Sequence, residues 1–180
     1  MNRRPDEKVA KDIISSEPEN QVVRNPLRAR WPRYLTVAWI LLLLLGALFL
    51  FASISDLAAD ARTGLPSDHM GTFRTITGST WASVQQSSPK VAQYITLLEV
   101  AYAVHELVFA LLFLIIVAIP FRRRMRWAWW ACWIPMLANI TYSLTFGRYD
   151  STTLVYSLVA DIALPLLLLV HIPAFFGSRA

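Results

Sequence analysis

Cys132 is the only cysteine among 180 residues, which excludes an intramolecular disulfide and CxxC thiol chemistry and leaves the redox compartment unread. Charge is scarce too. Only 16% of residues are Asp, Glu, Lys or Arg, against about 25% in an average soluble domain. Glycine-rich phosphate loops, GxSxG elbows and HExxH pairs are all missing, so the common signatures of nucleotide, serine-hydrolase and zinc-protease chemistry are absent. No catalytic residue is therefore assigned, no metal site has a tight motif, and no cofactor is implied. No internal repeat or low-complexity segment interrupts the chain.

What is abundant is hydrocarbon: 56% of residues are hydrophobic, gathered in long runs, which is a membrane protein's profile. The net charge of +5 sits beside these runs, where anionic headgroups and topology account for it, so nucleic acid is set aside as a partner. Residues 1–30 are polar and of mixed charge, and read as a disordered cytoplasmic tail. Residues 31–180 read as one all-α domain, a four-transmembrane-helix bundle with one longer extracytoplasmic loop.

The first span covers residues 35–54, uncharged and about 30 Å long as a helix, which matches a bilayer core. Its length and position favour a retained anchor over a secretory signal. Residues 55–92 hold Gly64, Pro66, Gly71 and Gly78 and read as a polar loop. SSPK then starts a helix, with Ser88 as N-cap and Pro89 at the first position. That helix runs to Ile119, and its membrane portion is residues 93–119. The third span is 127–146 and the fourth 153–176. Within the loop, Asp56, Asp60, Asp68, His69 and Arg74 read as surface charges. Met70, Phe73, Ile76 and Trp81 predict that the loop packs back across the mouth of the bundle, as a lid or simply as a packed segment.

Lysines and arginines are denser on one side: Arg24, Arg28, Arg30, Arg33, Arg122, Arg123, Arg124, Arg126 and Arg179, against Arg62, Arg74, Lys90 and Arg148. The positive-inside rule then places both termini in the cytoplasm, and Trp31, Trp127, Trp129, Trp130 and Trp133 form an aromatic belt at that interface.

Polar residues interrupt the spans. Glu99 and Glu106 are seven apart and share a helix face with Tyr102. Asn139 and Tyr142 lie on one side of the third span with Cys132, Pro135 and Ser143, and Asp161 aligns with Ser157 and Pro165 in the fourth. Counted from the outer ends, Asp161 lies about 12 Å deep and Glu99 about 10 Å. An acid at mid-span is penalised by about 2.5–3.5 kcal/mol, so such groups face the bundle interior or a wet cavity and are functional by default. Glu99, Tyr102, Glu106, Asn139, Tyr142 and Asp161 are the candidate ligand-binding residues, with Glu106, Asn139 and Asp161 meeting at one interior spot. The competing reading makes these acids interhelical glue. His105 points about 100° away from Glu106 and is an additional candidate. His105 and His171 differ too much in depth for a bis-histidyl haem. The first span is expected to flank the cluster through Trp39 and Gly46.

DHMGTFRTITGSTW together with PFRRRMRWAWW, roughly residues 68–130, resembles a group of small uncharacterised bacterial four-helix membrane proteins in which an Arg-rich turn precedes a WAW-like helix start. Met125 stands where that turn often has glycine. The resemblance implies a bacterial inner-membrane location and no activity. A four-helix bundle with two acids and a histidine in the membrane is also loosely similar to the sterol-isomerase and emopamil-binding group, which implies acid/base chemistry by Glu106 and Asp161.

The residues themselves leave three functions open: binding of a small molecule or lipid in an outward-opening intramembrane pocket, proton-coupled or cation transport by a homo-oligomer, and an accessory role. All share the bilayer as partner. A reporter fused at the C-terminus is expected to be active only in the cytoplasm, and accessibility from outside would overturn the topology.

Overall fold

The structure, a computed structural model, describes residues 31–177; the tail assigned to residues 1–30 lies outside them. Among the described residues the chain is helical, without strands. The elements are α1 (Arg33–Thr63), α2 (Ser67–Thr77), α3 (Trp81–Ser87), α4 (Pro89–Ile116), α5 (Arg126–Ala131), α6 (Ile134–Thr145), α7 (Ser151–Val170) and α8 (Ile172–Phe176). A π-helical turn, Val117–Phe121, prolongs α4. Three helices are long and apolar enough to cross a membrane: Arg33–Thr63, Pro89–Phe121 and Thr153–Val170. Their outward faces are hydrocarbon, including Val37, Leu44, Leu48 and Phe51 on α1 and Leu97, Val108 and Ile115 on α4.

Several boundaries differ from the expectation, the fourth span's among them, since α7 ends at Val170 and α8 follows His171. The first span does not stop at residue 54: α1 runs to Thr63 and ends where Gly64 takes a left-handed φ of 78°, its N–H bonded to the Asp60 carbonyl at 3.0 Å. Glycine takes this conformation without a Cβ clash. The expected loop 55–92 is thus mostly helix, its punctuating residues separating short helices: Pro66 precedes α2, Gly78 (φ 68°) ends it, and Thr80 caps α3 through Ser83 N–H. The region expected as the third span, 127–146, is broken into α5 and α6. Pro135, in the first turn of α6, has no N–H to continue the α5 ladder, and the chain turns at Cys132 and Trp133. Pro89 opens α4 after Ser88 as expected, although the Ser88 side chain makes no capping bond.

The α1–α4 seam organises the molecule. On α1 the buried positions are Leu35, Ala38, Leu42, Leu45, Gly46, Ser53 and Asp60; on α4 they are Ala92, Ala103, Ala110 and Phe113. Small residues let two backbones approach closely where hydrophobic driving force is weak. Trp39 Nε1 crosses the seam to donate to the Val117 carbonyl at 2.9 Å, a group the π turn leaves available. α6 packs on α7, which in turn packs on α1.

Two apolar cores result. The larger one, toward the arginine turn, joins Leu42, Phe113, Val117, Phe121, Trp129, Cys132, Leu164 and Leu168. The smaller one, at the opposite end, joins Leu65, Trp81 and Ala92 with Met70, Phe73, Val84 and Ile95 packed on it. Met70, Phe73 and Trp81 therefore fold back as expected, whereas Ile76 stays exposed. Between the two cores lies a polar layer.

A Cβ on Gly46 would stand 2.7 Å from Leu114 Cδ2 and 3.0 Å from Phe113 Cδ1. Gly46→Ile is expected to wedge the seam and cost about 1–3 kcal/mol, read as a lower thermal midpoint in detergent, while Leu44→Ile on the outward face should leave the midpoint unchanged.

Candidate functional site

The polar layer is assembled from four helices around His69. Because α1 extends past residue 54, it delivers Asp56 and Asp60; α2 delivers Asp68 and His69; α4 delivers Glu99, Tyr102 and Glu106; α6 delivers Tyr142, and Phe146 caps its C-terminal end. His69 is 4% exposed. Its Nδ1 lies 2.8 Å from Glu99 Oε2, and its Nε2 lies 3.4 Å from the Tyr142 hydroxyl. That hydroxyl donates to Asp68 Oδ2 at 2.9 Å, so its oxygen is left to accept from Nε2. Both ring nitrogens then act as donors, the pattern of an imidazolium. The ring stacks on Phe146 with centroids 4.6 Å apart, and Tyr142 stacks on the same phenyl at 4.9 Å.

Carboxylates outnumber positive charge here. Asp56 lies in the field of Asp68, Glu106, His69 and Asp60, and Asp60 in that of Glu99, His69 and Asp68. Glu106 hydrogen-bonds Tyr102 and feels His69, Asp68 and Glu99. In those surroundings His69 is the one positive group that appears among the described residues. Asp60 is 3% exposed, and neither carboxylate oxygen has a hydrogen-bond partner. An unpaired buried carboxylate is costly and is relieved by a proton or a cation.

A second group ties α6 to α7. Asn139 Nδ2 donates to Asp161 Oδ1 at 2.6 Å and to the Ser157 carbonyl at 3.1 Å, and Ser143 Oγ donates to Asp161 Oδ2 at 2.6 Å. Both oxygens of Asp161 are thereby satisfied from α6, the arrangement of an interhelical clasp.

The six candidate residues thus fall into two groups. Glu99, Tyr102, Glu106 and Tyr142 belong to the His69 cluster, while Asn139 and Asp161 form the clasp; Asn139 and Asp161 meet directly, and Glu106 turns toward His69. His105 is exposed, with Nδ1 2.6 Å from the Ala101 carbonyl of its own helix, and joins neither group. The expectation that Asp56, Asp60, Asp68 and His69 are surface charges is corrected: Asp60 and His69 are buried, and Asp56 and Asp68 half-buried. Trp39 flanks the arginine turn rather than the cluster.

The signal that reveals Asp60 is heptad spacing. Gly46, Ser53 and Asp60 follow one another at intervals of seven on the stripe that faces α4.

Two clefts open elsewhere, one of about 480 Å³ bordered by Arg124, Arg126 and residues 173–177, the other of about 400 Å³ bordered by Ser55, Ala58, Arg62, Ser67 and Met70. None of the six candidates lines either one. Among the described residues no group of three or more His, Cys, Asp or Glu side chains is spaced to hold a metal ion. No protein-family model, curated protein or solved structure matches the chain.

Burial lowers the basicity of His69, but the Glu99 hydrogen bond and the charges of Asp68, Glu99 and Asp56 outweigh it, and the imidazole sits above its ordinary value. The groups facing the ring are Asp56 and Asp60 from α1, Asp68 from its own helix, Glu99, Tyr102 and Glu106 from α4, and Tyr142 from α6. A histidine raised above its unfolded value of about 6.5 contributes stability that is complete below that pH and is lost as pH climbs through the raised value. Amide exchange in residues 67–77, corrected for intrinsic rates, is therefore expected to quicken above neutral pH. His69→Gln should weaken protection there by about 1–3 kcal/mol at pH 6 and flatten its pH profile. A wild-type profile as flat as the variant's would contradict the pairing.

Proposed function

We propose that this chain is a proton-coupled carrier of small cations in a bacterial inner membrane, working as a homo-oligomer. Four crossings are proposed, the third made by α5 and α6 in series and the fourth by α7 and α8. The Lys and Arg bias supports cytoplasmic termini and a polar layer displaced toward the outer face.

The observation that carries the reading is the charge imbalance of the polar layer: Asp56, Asp60, Asp68, Glu99 and Glu106 face a single imidazole, with both Asp60 oxygens unpartnered. A group of buried acids with too little positive charge exchanges protons for a cation at small cost, because either occupant relieves the same desolvation and repulsion. Tyr102, Tyr142 and Phe146 add ring faces of the kind that attract organic cations. The two clefts lie away from the six candidates, which favours a compact occupant over a lipid at this site.

The test is made in proteoliposomes holding the full chain and an internal pH dye, acid inside, challenged with choline and with ethidium. Wild-type protein is expected to release protons in response to at least one of the two cations. Glu106→Gln should reduce the rate at least tenfold, and the outward-facing His105→Gln should leave it unchanged. Equal rates in wild type and Glu106→Gln, or no response to either cation, would sink the carrier reading.

A further inference from the structure

We infer that the imidazolium of His69 fills, as a tethered stand-in, a binding site for a flat, delocalised nitrogen cation of the imidazolium, guanidinium or amidinium class, and that α2 is a plug which such a cation displaces. The inference rests on the carrier reading and gives its cargo a shape. What surrounds the ring is what a free cation of that kind requires. The two ring nitrogens each meet an oxygen, Glu99 Oε2 at 2.8 Å from Nδ1 and the Tyr142 hydroxyl at 3.4 Å from Nε2. One face lies on Phe146, inclined by 14° with centroids 4.6 Å apart, and the Tyr102 and Tyr142 rings each stand 6.1 Å away. Ring faces at about this range attract cations. Asp56 and Asp60 from α1 and Glu106 from α4 act on one another and on the same positive charge, that of His69, while Asp68 Oδ2 lies 4.0 Å from Nε2.

The tethered ring leaves the site unfinished. Asp60 is 3% exposed and neither of its oxygens has a partner. Held on α2, the imidazole bonds to Glu99 on α4 and not to Asp60 on α1. One turn beyond it, the Thr72 hydroxyl is buried and unpartnered as well. A histidine that served only to pin α2 would leave no such deficit, because a buried charge without a partner is costly. A free cation is not bound to the register of α2 and can take the position that serves acids of both long helices.

α2 is attached so that it can leave. It begins after Pro66 and stops at Gly78, which has a φ of 68° and nothing within 4 Å of where a Cβ would stand, and its last turn, residues 74–77, is exposed. Its polar ties to α4, α6 and α7 are the His69 bond to Glu99, the Tyr142 bond to Asp68 and the Thr153 hydroxyl bond to the Asp68 carbonyl. The first two use Glu99 and Tyr142, the oxygens an arriving cation takes over as the imidazolium gives them up. No covalent bond changes in that exchange. Withdrawn into water, the imidazolium regains its ordinary basicity of about 6.5 and at neutral pH loses one proton to solvent, which ties cation entry to proton release.

The test uses full-length protein in detergent at pH 6 and two matched pairs of probes: imidazole with pyrazole, a ring of the same size that stays neutral, and guanidinium with urea, its flat neutral counterpart. His69→Ala vacates the place of the ring. Isothermal titration should find imidazolium bound to this variant at least tenfold more tightly than to wild type, and at least tenfold more tightly than pyrazole. Wild-type protein supplies an arm that stands whether or not the variant folds. Guanidinium chloride far below denaturing concentration should quicken amide exchange in residues 67–77 at least threefold and leave residues 134–145 unaltered, whereas urea or sodium chloride at the same concentration should change neither. Pyrazole bound as well as imidazolium, or sodium chloride acting as strongly as guanidinium, would overturn the inference. Neither arm requires transport. Success in both with no movement of choline or ethidium would leave a binding site and overturn the carrier reading, while transport of either with both arms failing would overturn the plug alone.

Discussion

An ionised carboxylate inside a small apolar bundle demands a partner, and in this protein the demand is met chiefly by one imidazole. Glu99 reaches His69 at 2.8 Å, across a gap of thirty positions in the chain, and closing that gap dictates the polar end. α1 must stop at Gly64, α2 must lie back over the bundle with His69 inward, and α3 must return the chain to Pro89. The capping contacts follow the same logic. The Thr63 carbonyl at the end of α1 accepts from Trp81 Nε1 at 2.7 Å and Gln85 Nε2 at 3.1 Å, and the Gly64 carbonyl accepts from Thr96 at 2.7 Å. Backbone acceptors that a helix end would otherwise leave open are thus used to pin α3 and α4 to α1.

The two polar groups show how similar residues come to play different parts. Asp161 receives Asn139 and Ser143 on its two oxygens and is matched to its neighbours, so its contribution is geometric: it fixes the rotation of α6 against α7. Asp60 is more deeply sealed from solvent than the half-buried Asp161 and has no such donors. Leaving a buried polar group unmade costs about 1–3 kcal/mol, and more when it is charged, whereas folding as a whole gains only about 5–15 kcal/mol. This asymmetry separates a satisfied acid from an unsatisfied one, and it is the contrast on which the carrier proposal rests.

Much of the architecture was legible in the sequence. Apolar run lengths gave the long helices, SSPK the start of α4, and heptad spacing the common face of Glu99 and Glu106. The buried acids of α1 and the histidine of α2 are hidden from the sequence because Gly64, Pro66, Gly71 and Gly78 carry the composition of a loop. Gly64 and Gly78 are in fact helix stops, and Gly71 lies within α2, where a Cβ would come 3.3 Å from the Asp150 carboxyl carbon. Local composition marks where a helix ends and says little about whether the piece between two ends is docked. The break at Cys132 and Trp133 escaped for the opposite reason: hydropathy is continuous across it, and only Pro135 hints at the interrupted ladder.

The layering also bears on how a proton or cation would travel. Toward the arginine turn the polar layer is backed by Leu42, Val117, Phe121 and Leu168, each essentially inaccessible to solvent. Buried apolar side chains of this kind offer a file of water no polar partners. Traffic to the far side therefore requires either that the α1–α4 seam open, where Ala38, Gly46, Ala103 and Ala110 keep the helices close, or that the path run along an outward helix face. On α1 that face is apolar from Val37 to Ile54, and a path there would exist only where another surface completes it. The carrier proposal accordingly assigns the second half of the path to a second copy and binding to the polar layer of each bundle. On the carrier proposal binding and translocation are separable: the first is assigned to the His69 cluster, and the second to whatever covers α1.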